Sequence, residues 1–228
     1  MAAQVTTATA GIRRGNEDAG TDSRAAGLLF FGVSAGFLMV TMLAASIAPG
    51  YDFHGAAISD LGVTAETAVL FNGLLVVIGA MNVAGGYLLY RRHHRGVLAA
   101  YVLAGVGAVG AGLFPLSTGG VHSLFALLAF IGFNLEVIGA AALLAGAMRI
   151  LGIVAGGLGL VYAVLMVIGD SGNAAVFGSI GHGGSERMIA YPAMLWLLAF
   201  SGYLSAAGHR LVGVNTEGHD EIVVEKTS

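Results

Sequence analysis

The sequence predicts an all-α fold: a polytopic membrane protein whose six transmembrane helices form an antiparallel bundle with both termini in the cytoplasm. Composition is the first observation, since 57% of the 228 residues are hydrophobic, 10% are charged and the mean hydropathy is +0.84. Soluble domains carry about 25% charged residues. The sequence has no cysteine, which excludes disulfides and thiolate metal sites, and its net charge of −3 gives no indication of a nucleic-acid partner.

Six apolar runs are the second observation, and each supplies the roughly 20 residues that a membrane-spanning helix needs. They cover residues 25–48, 66–90, 96–116, 123–148, 150–169 and 188–208. Asp22 or Ser23 is placed to cap the first helix, and Ser185 is placed to cap the sixth. The chain therefore divides into a polar N-terminal segment (1–24), a transmembrane domain (25–208) and a polar C-terminal tail (209–228).

The distribution of arginine is the third observation, and it predicts the orientation. The arginines before helix 1, between helices 2 and 3, between helices 4 and 5 and after helix 6 all fall on one side: Arg13, Arg14, Arg24, Arg91, Arg92, Arg95, Arg149 and Arg210. The loops on the opposite side contain only Arg187. Because basic residues stay on the cytoplasmic side, we expect a multi-pass protein of the cell membrane with cytoplasmic N and C termini.

Polar residues gather in the three loops on the predicted extracytoplasmic side. The first loop contains the stretch YDFHGAAISDLG (residues 51–62), the second contains STGGVHS, and the third extends from Asp170 to Arg187. We take the following residues of these loops as the candidate functional cluster: Asp60, His122, Glu186, Arg187, His54 and His182.

Two interpretations of this cluster differ in their chemistry. Three histidines from three loops can bind zinc, with an aspartate activating water, but their spacing is not that of a metal-binding motif and we assign no metal. In the second interpretation the cluster is a structural cap, in which Asp60 accepts loop N–H groups and Gly62 permits a tight turn. Arg187 would then pair with Asp60 or Asp170. We favour the cap, and a substrate or lipid-headgroup site on the same groups is the remaining alternative.

Glu136 is the most costly residue in the sequence, because a charge near the middle of a transmembrane helix costs at least a few kcal/mol. No lysine or arginine occurs inside any apolar run. We therefore expect a neutral carboxyl, or a hydrogen bond across the bundle to Asn72, Asn82 or Tyr162. Glu136 and Asn72 are the candidate intramembrane polar site, which serves either to hold helices together or to carry a proton.

The order of several short motifs resembles an uncharacterised membrane family, domain of unknown function 998. The motifs are Ile58-Ser59-Asp60-Leu61-Gly62, Leu70-Phe71-Asn72, Gly112-Leu113-Phe114-Pro115 followed by His122, and Glu186-Arg187 followed by Tyr191-Pro192. The resemblance spans about residues 25–208. A more distant likeness is to the FGF-receptor-activating and autophagy-modulator membrane proteins, which are six-span chains with a similar Ser-Asp element. The resemblance implies a six-helix bundle and groups Asp60 and His122 with Glu186-Arg187, but it implies no established reaction.

Three functional hypotheses follow. The leading one is that the extracytoplasmic cap binds or organises a lipid or a membrane-protein partner without catalysis. The first alternative is an intramembrane enzyme that acts on a lipid-linked substrate through Asp60 and His122, with or without a metal. The second is a small proton-coupled transporter centred on Glu136. Membrane lipids are the expected partners, a second membrane-protein subunit is compatible with the Ala/Gly-rich helices, and the sequence identifies no cofactor.

Overall fold

Six long helices make up the architecture. The computed structural model describes the backbone of residues 2–217 and the side chains of residues 19–206. The helices are α1 (Ala2–Ile47), α2 (Ala68–Tyr90), α3 (Arg95–Leu113), α4 (Gly120–Ala142), α5 (Gly146–Asp170) and α6 (Gly181–Glu217), and the described residues contain no strand. Six helices are long and apolar enough to cross a membrane. The predicted all-α, six-helix membrane fold is confirmed, and the orientation of its termini stays a prediction.

The outer surface of the bundle is apolar. Leu28, Met39 and Val69 are 70%, 71% and 88% exposed, and many other large hydrophobic side chains are exposed around the bundle. Contiguous apolar surface of this extent is rare on soluble monomers. Lipid tails are as apolar as leucine side chains, so this surface is suited to a bilayer.

The helices form a closed ring in chain order. Each helix contacts the helix before it and the helix after it, α1 closes the ring against α6, and α4 also contacts α6 across the middle. Consecutive helices pack against each other and are joined at one end, so they run antiparallel. All three odd-numbered helices therefore run in one direction, and the loops after them lie together at one end.

Close backbone contact joins α3 to α4. A side-chain carbon added at Gly107 would overlap the backbone of Ala129, and one added at Gly132 would overlap the backbone of Ala104. The two contacts are equivalent positions of one antiparallel register. Small residues at such positions let helix backbones approach closely, and packing of this kind is a main source of helix association in membranes.

The connection between α4 and α5 lies earlier in the chain than the apolar runs predict. α4 ends at Ala142 and α5 begins at Gly146, whose φ of +63° is left-handed and suits glycine. Arg149 consequently lies in the first turn of α5 and does not separate the two helices. The break falls within the stretch ALLAG, which is apolar throughout, so the sequence carries no polar signal for it.

The first helix also differs from its prediction, because α1 continues through the predicted polar segment 1–24. Neither expected capping residue caps it. The Ser23 hydroxyl donates to a carbonyl one turn earlier in the helix, at 2.9 Å. The Asp22 carboxylate instead pairs with Arg91 at the end of α2, at 2.7 Å, and so joins α1 to α2.

The sixth helix begins before its apolar run. α6 starts at Gly181 and not at residue 188, so the predicted cap Ser185 lies inside the helix and donates its hydroxyl hydrogen to the Gly181 carbonyl at 2.9 Å. At the other end α6 continues to Glu217, and residues 218–228 of the predicted tail lie outside the described residues. The early start places the polar part of the third loop on the first turns of α6.

Candidate functional site

The cap loop, which we define as residues 48–67 between α1 and α2, contains a short 3-10 helix at Ile58–Gly62. The Asp60 carboxylate accepts the backbone N–H of Ala57 at 2.8 Å and so begins this helix, as the structural-cap interpretation predicts. We call the end of the bundle that carries the loop the cap end, and the opposite end, where α2 is connected to α3, the arginine end.

Backbone contacts dock the cap loop onto the start of α6. The Asp52 carboxylate accepts the N–H groups of His54 (3.0 Å) and Gly55 (2.9 Å), which lower the pKa of Asp52 because they stabilise its charged form. The carbonyl of His54 then accepts the N–H of Gly183 at 2.9 Å. Gly181 has a φ of +70°, and a side chain there would overlap the same carbonyl. The His54 side chain itself is exposed.

The chain turns tightly at Gly62, where the N–H of Val63 donates to the Asp60 carbonyl at 3.1 Å, but the glycine is needed for packing and not for its conformational freedom. Gly62 does not have a positive φ. A side-chain carbon at this position would lie 2.5 Å from the amide oxygen of Asn72, whose nitrogen donates to the Gly62 carbonyl at 2.8 Å. Asn72 of α2 therefore fixes the end of the 3-10 helix and belongs to the cap end.

Glu186 holds the cap loop by accepting hydrogen bonds from an N–H group and a hydroxyl group of the loop. Its side chain lies in the second turn of α6 and is 4% exposed. The carboxylate accepts the backbone N–H of Ile58 and, at 3.1 Å, the hydroxyl of Ser59. A buried carboxylate is tolerated when such donors replace water, so Glu186 and the start of the 3-10 helix stabilise each other.

Arg187 holds the same loop by donating hydrogen bonds to carbonyl groups of the loop. Its guanidinium donates to the carbonyls of Phe53 (3.1 Å), Ala56 (3.3 Å) and Gly183 (2.6 Å), and to the hydroxyl of Tyr51 (2.6 Å). It also lies over the Phe53 ring, 4.8 Å from the centroid. Glu186 and Arg187 are adjacent in sequence, and together they satisfy the acceptors and the donors of one loop.

The predicted ion pair of Arg187 with Asp60 or Asp170 is not formed. Asp170, at the end of α5, instead pairs with His182 at 3.2 Å. Burial of the Tyr51 phenol raises its pKa to about 12, although the neighbouring Arg187 guanidinium acts to lower it. Tyr51 therefore remains a neutral hydroxyl that accepts from Arg187.

His122 presents an unpaired nitrogen inside the protein. It lies in the first turn of α4, is 4% exposed, and its Nδ1 is 2.8 Å from the carbonyl oxygen of Phe114. A carbonyl only accepts, so Nδ1 carries a hydrogen, and in the neutral imidazole Nε2 then carries a lone pair. Within residues 19–206, Nε2 has no hydrogen-bond partner. Such an unsatisfied buried acceptor calls for an explanation.

A cavity of about 510 Å³ lies beneath the cap loop, and His122 lines it. Its polar lining comprises Ser59, Asp60, His122, Ser123, Asp170, Ser171, His182 and Glu186. Its apolar lining from α4 and α5 includes Leu127, Phe130, Ala163, Met166 and Val167. Four of the six candidate cluster residues therefore meet at one cavity, whereas His54 and Arg187 do not line it.

A smaller cavity of about 60 Å³ lies next to the first and between the helices. At about 30 Å³ per water molecule, it has room for about two. Its lining is mostly apolar, but Ser59, His122 and Glu186 line both cavities. These three polar side chains consequently lie between a wide chamber of mixed polar and apolar lining and a narrow apolar one.

The three-histidine zinc site is not assembled. Across the part of the chain whose side chains are described, no three His, Asp or Glu side chains come close enough to hold a metal ion. His182 and His122 line the cavity, but the ring of His54 is exposed. The three loops converge, but the three imidazoles do not.

Glu136 and Asn72, the predicted intramembrane pair, are not together. Glu136 is fully buried in α4 and accepts the amide of Asn82 of α2 at 2.7 Å; that amide also donates to the Tyr101 carbonyl at 3.3 Å. The sequence offered Asn72 and Asn82 as equivalent partners. The structure places Asn72 at the cap end and Asn82 deeper in the bundle, within reach of the carboxyl.

Sequence reasoning missed the contribution of α5 to the cavity. Met166 and Val167 lie in an apolar run that carries no functional pattern. It also missed Tyr51 as the partner of Arg187, although the concentration of polar residues in the cap loop was a signal for it. The glycines before Glu186 were a signal as well, since IGHGGSER lets α6 approach another backbone.

Comparison with known proteins yields one match, to a family. No curated protein and no solved structure matches the chain. The family model described as Protein of unknown function (DUF998) matches residues 5–203, which include all six apolar segments except the last few residues of the sixth. This match extends over most of the sequence and contains both the cap loop and the cavity, and the chain therefore belongs to the DUF998 family.

Proposed function

We propose that the protein binds a membrane amphiphile, with the polar head group in the cavity beneath the cap loop and the apolar part against α4 and α5. The observation that carries the proposal is His122, which lines this cavity and whose buried Nε2 has no hydrogen-bond partner within the described residues. A ligand donor would satisfy it. The volume of about 510 Å³ lies in the range of small-molecule sites.

The lining favours a head group that donates hydrogen bonds. Asp60, Asp170 and Glu186 contribute carboxylates, and His122 contributes the free nitrogen. No arginine or lysine is among the described residues that line the cavity. A free phosphate would meet repulsion there, whereas hydroxyl or amine groups would find acceptors. We therefore infer a polyol or amine head group.

The test is to identify the lipids that remain bound to the full-length protein after purification in a mild detergent. His122→Asn is the decisive variant, because the asparagine amide can replace Nδ1 at the Phe114 carbonyl but offers nothing at the position of Nε2. His93→Asn, at the exposed arginine end, is the matched control. Native mass spectrometry would count the bound lipid and identify its head group.

We expect wild type and the His93→Asn control to retain one hydroxyl- or amine-bearing lipid. His122→Asn should retain about tenfold less, since one hydrogen bond contributes about 1–1.5 kcal/mol. Melting temperatures should agree among the three proteins. Equal retention in wild type and His122→Asn, or no retained lipid in either, would overturn the proposal.

Chemical conversion of the bound lipid is a second candidate, and the contact of His122 Nδ1 with the Phe114 carbonyl favours it. With Nδ1–H held by the Phe114 carbonyl at 2.8 Å, Nε2 is free to accept a proton, as a general base requires. Incubation of the lipid with wild type and His122→Asn separates the two functions. A product formed only by wild type would establish catalysis, and unchanged lipid would leave binding alone.

We also propose that the cap end faces the outside of the cell membrane. Of the six arginines in residues 19–206, only Arg187 lies at the cap end, and the positive-inside rule then places the arginine end in the cytoplasm. Because the chain has no cysteine, single cysteines at exposed positions report orientation directly. A membrane-impermeant maleimide should label Ala65→Cys in intact cells and label His93→Cys only after lysis. The reverse pattern would invert the topology.

A further inference from the structure

We propose that an anionic glycerophospholipid of the bilayer binds at the arginine end, where α2 ends and α3 begins. The arginine groove, of about 840 Å³, is lined by Arg91, Arg92 and Arg95 and by the α3 residues Leu98, Val102 and Val106. The phosphate would lie against the arginines and an acyl chain along α3. This site is at the opposite end from the cap cavity and does not depend on the function proposed for it.

Two of the three arginine charges of the groove are not neutralised by any residue from 19 to 206. Arg91 is engaged, since it pairs with Asp22 at 2.7 Å and lies 5.3 Å from the centroid of the Tyr87 ring. Arg92 and Arg95 are exposed, and within the described part of the chain neither has a hydrogen-bond or ion-pair partner. Guanidinium groups bind phosphate oxygens in a bidentate manner. Two arginines are therefore available to one phosphate.

The apolar part of the groove has the length of one leaflet. Leu98, Val102 and Val106 follow Arg95 at intervals of three or four residues, so all four lie on one face of α3. From Arg95 to Val106 the helix rises about 16 Å, at about 1.5 Å per residue. One leaflet contributes about 15 Å to a hydrocarbon core of about 30 Å. An acyl chain that starts beside the arginines would lie along this face to the midplane.

This combination of charge and apolar length identifies a phospholipid as the occupant. Among the described residues, no carboxylate lines the groove, which is complementary to a negative head group. A soluble anion would use the arginines but leave the α3 face uncovered. Basic pockets of this kind between membrane helices bind acidic lipid head groups.

The experiment is lipid counting by native mass spectrometry on the full-length protein, equilibrated with equal amounts of phosphatidylglycerol and phosphatidylcholine. Arg92→Gln/Arg95→Gln removes the two free charges. Arg149→Gln, an exposed arginine of α5 at the same end, controls for surface charge in general. Val106→Trp fills the apolar groove and leaves every charge in place, so it tests the site if the double variant does not fold.

Wild type and Arg149→Gln should prefer phosphatidylglycerol, and the preference should fall about 25-fold in the double variant, at about fivefold per arginine near a membrane surface. Val106→Trp should also reduce binding, and excess inorganic phosphate should not displace the lipid. An unchanged preference in the double variant, or an equal loss in Arg149→Gln, would overturn the proposal. Displacement of the lipid by inorganic phosphate would also overturn it. The same holds if wild type is a dimer and the double variant is a monomer that keeps its lipid.

Discussion

Removal of the Arg187 guanidinium should release the cap loop while the helices remain folded. The side chain is 9% exposed and donates to three carbonyls and to the Tyr51 hydroxyl. Nη1 has two hydrogens for its three carbonyl acceptors, so we count about three effective bonds. In Arg187→Met the side chain keeps an apolar stem of similar length but loses every donor. The carbonyls of the loop are then left to the solvent or to no partner.

The magnitude follows from these bonds. At about 1.5 kcal/mol for each hydrogen bond to a charged group, three bonds amount to about 4.5 kcal/mol. Phe53 is 43% exposed, and water can reach its carbonyl in the variant, so the expected loss is about 3 kcal/mol. Opening of the cap loop should then become about 100-fold more frequent, at about 1.4 kcal/mol per factor of ten.

Amide hydrogen exchange on the full-length protein in detergent measures this opening directly. Exchange of residues 53–58 should accelerate about 100-fold in Arg187→Met, at about 1.4 kcal/mol per factor of ten, and exchange within the six helices should remain as in wild type. Arg149→Met, an exposed arginine in the first turn of α5, is the matched control and should change neither. Less than about a threefold acceleration, or an equal effect in the control, would refute the clamp.

Three further predictions test the bundle and the loop. Asn82→Leu should lower the free energy of unfolding by about 1–3 kcal/mol, because buried Glu136 loses its hydrogen-bond partner. Glu136→Gln keeps an acceptor for the Asn82 amide and should lower it by less than about 1 kcal/mol. Equal losses in the two variants would contradict this pairing. Gly132→Val should cost at least about 2 kcal/mol because it overlaps the α3 backbone, and Gly73→Val, which has open space, should show no such loss in thermal unfolding. Burial raises the pKa of Tyr51 to about 12, against 10.0 in the unfolded chain, so the native state holds this proton more tightly. The contribution of Tyr51 to the free energy of unfolding is therefore complete below about pH 10 and is lost as the pH rises towards about 12. Denaturation of Tyr51→Phe should lack this pH dependence.

The candidate site was predictable in location but not in connectivity. The sequence placed Asp60, His122 and Glu186 at one end, and all three line one cavity. It expected Arg187 to meet a carboxylate, yet the guanidinium binds backbone carbonyls. Every residue carries the same backbone donor and acceptor, so a backbone partner leaves no mark on the sequence. The choice of Asn82 over Asn72 follows from depth in the bundle, because α2 and α4 both begin at the cap end and Asn82 lies about as far along its helix as Glu136 does.

The sequence by itself determined that the chain is a six-helix membrane protein with its polar loops at one end. These properties depend on local apolar length and on the bilayer thickness, and both can be read along the chain. Only the tertiary structure decided the break at Gly146, the early start of α6 at Gly181 and the free nitrogen of His122. A break inside an apolar run has no polar residue to mark it, and an unpaired lone pair exists only when distant segments enclose the group and leave it without a donor.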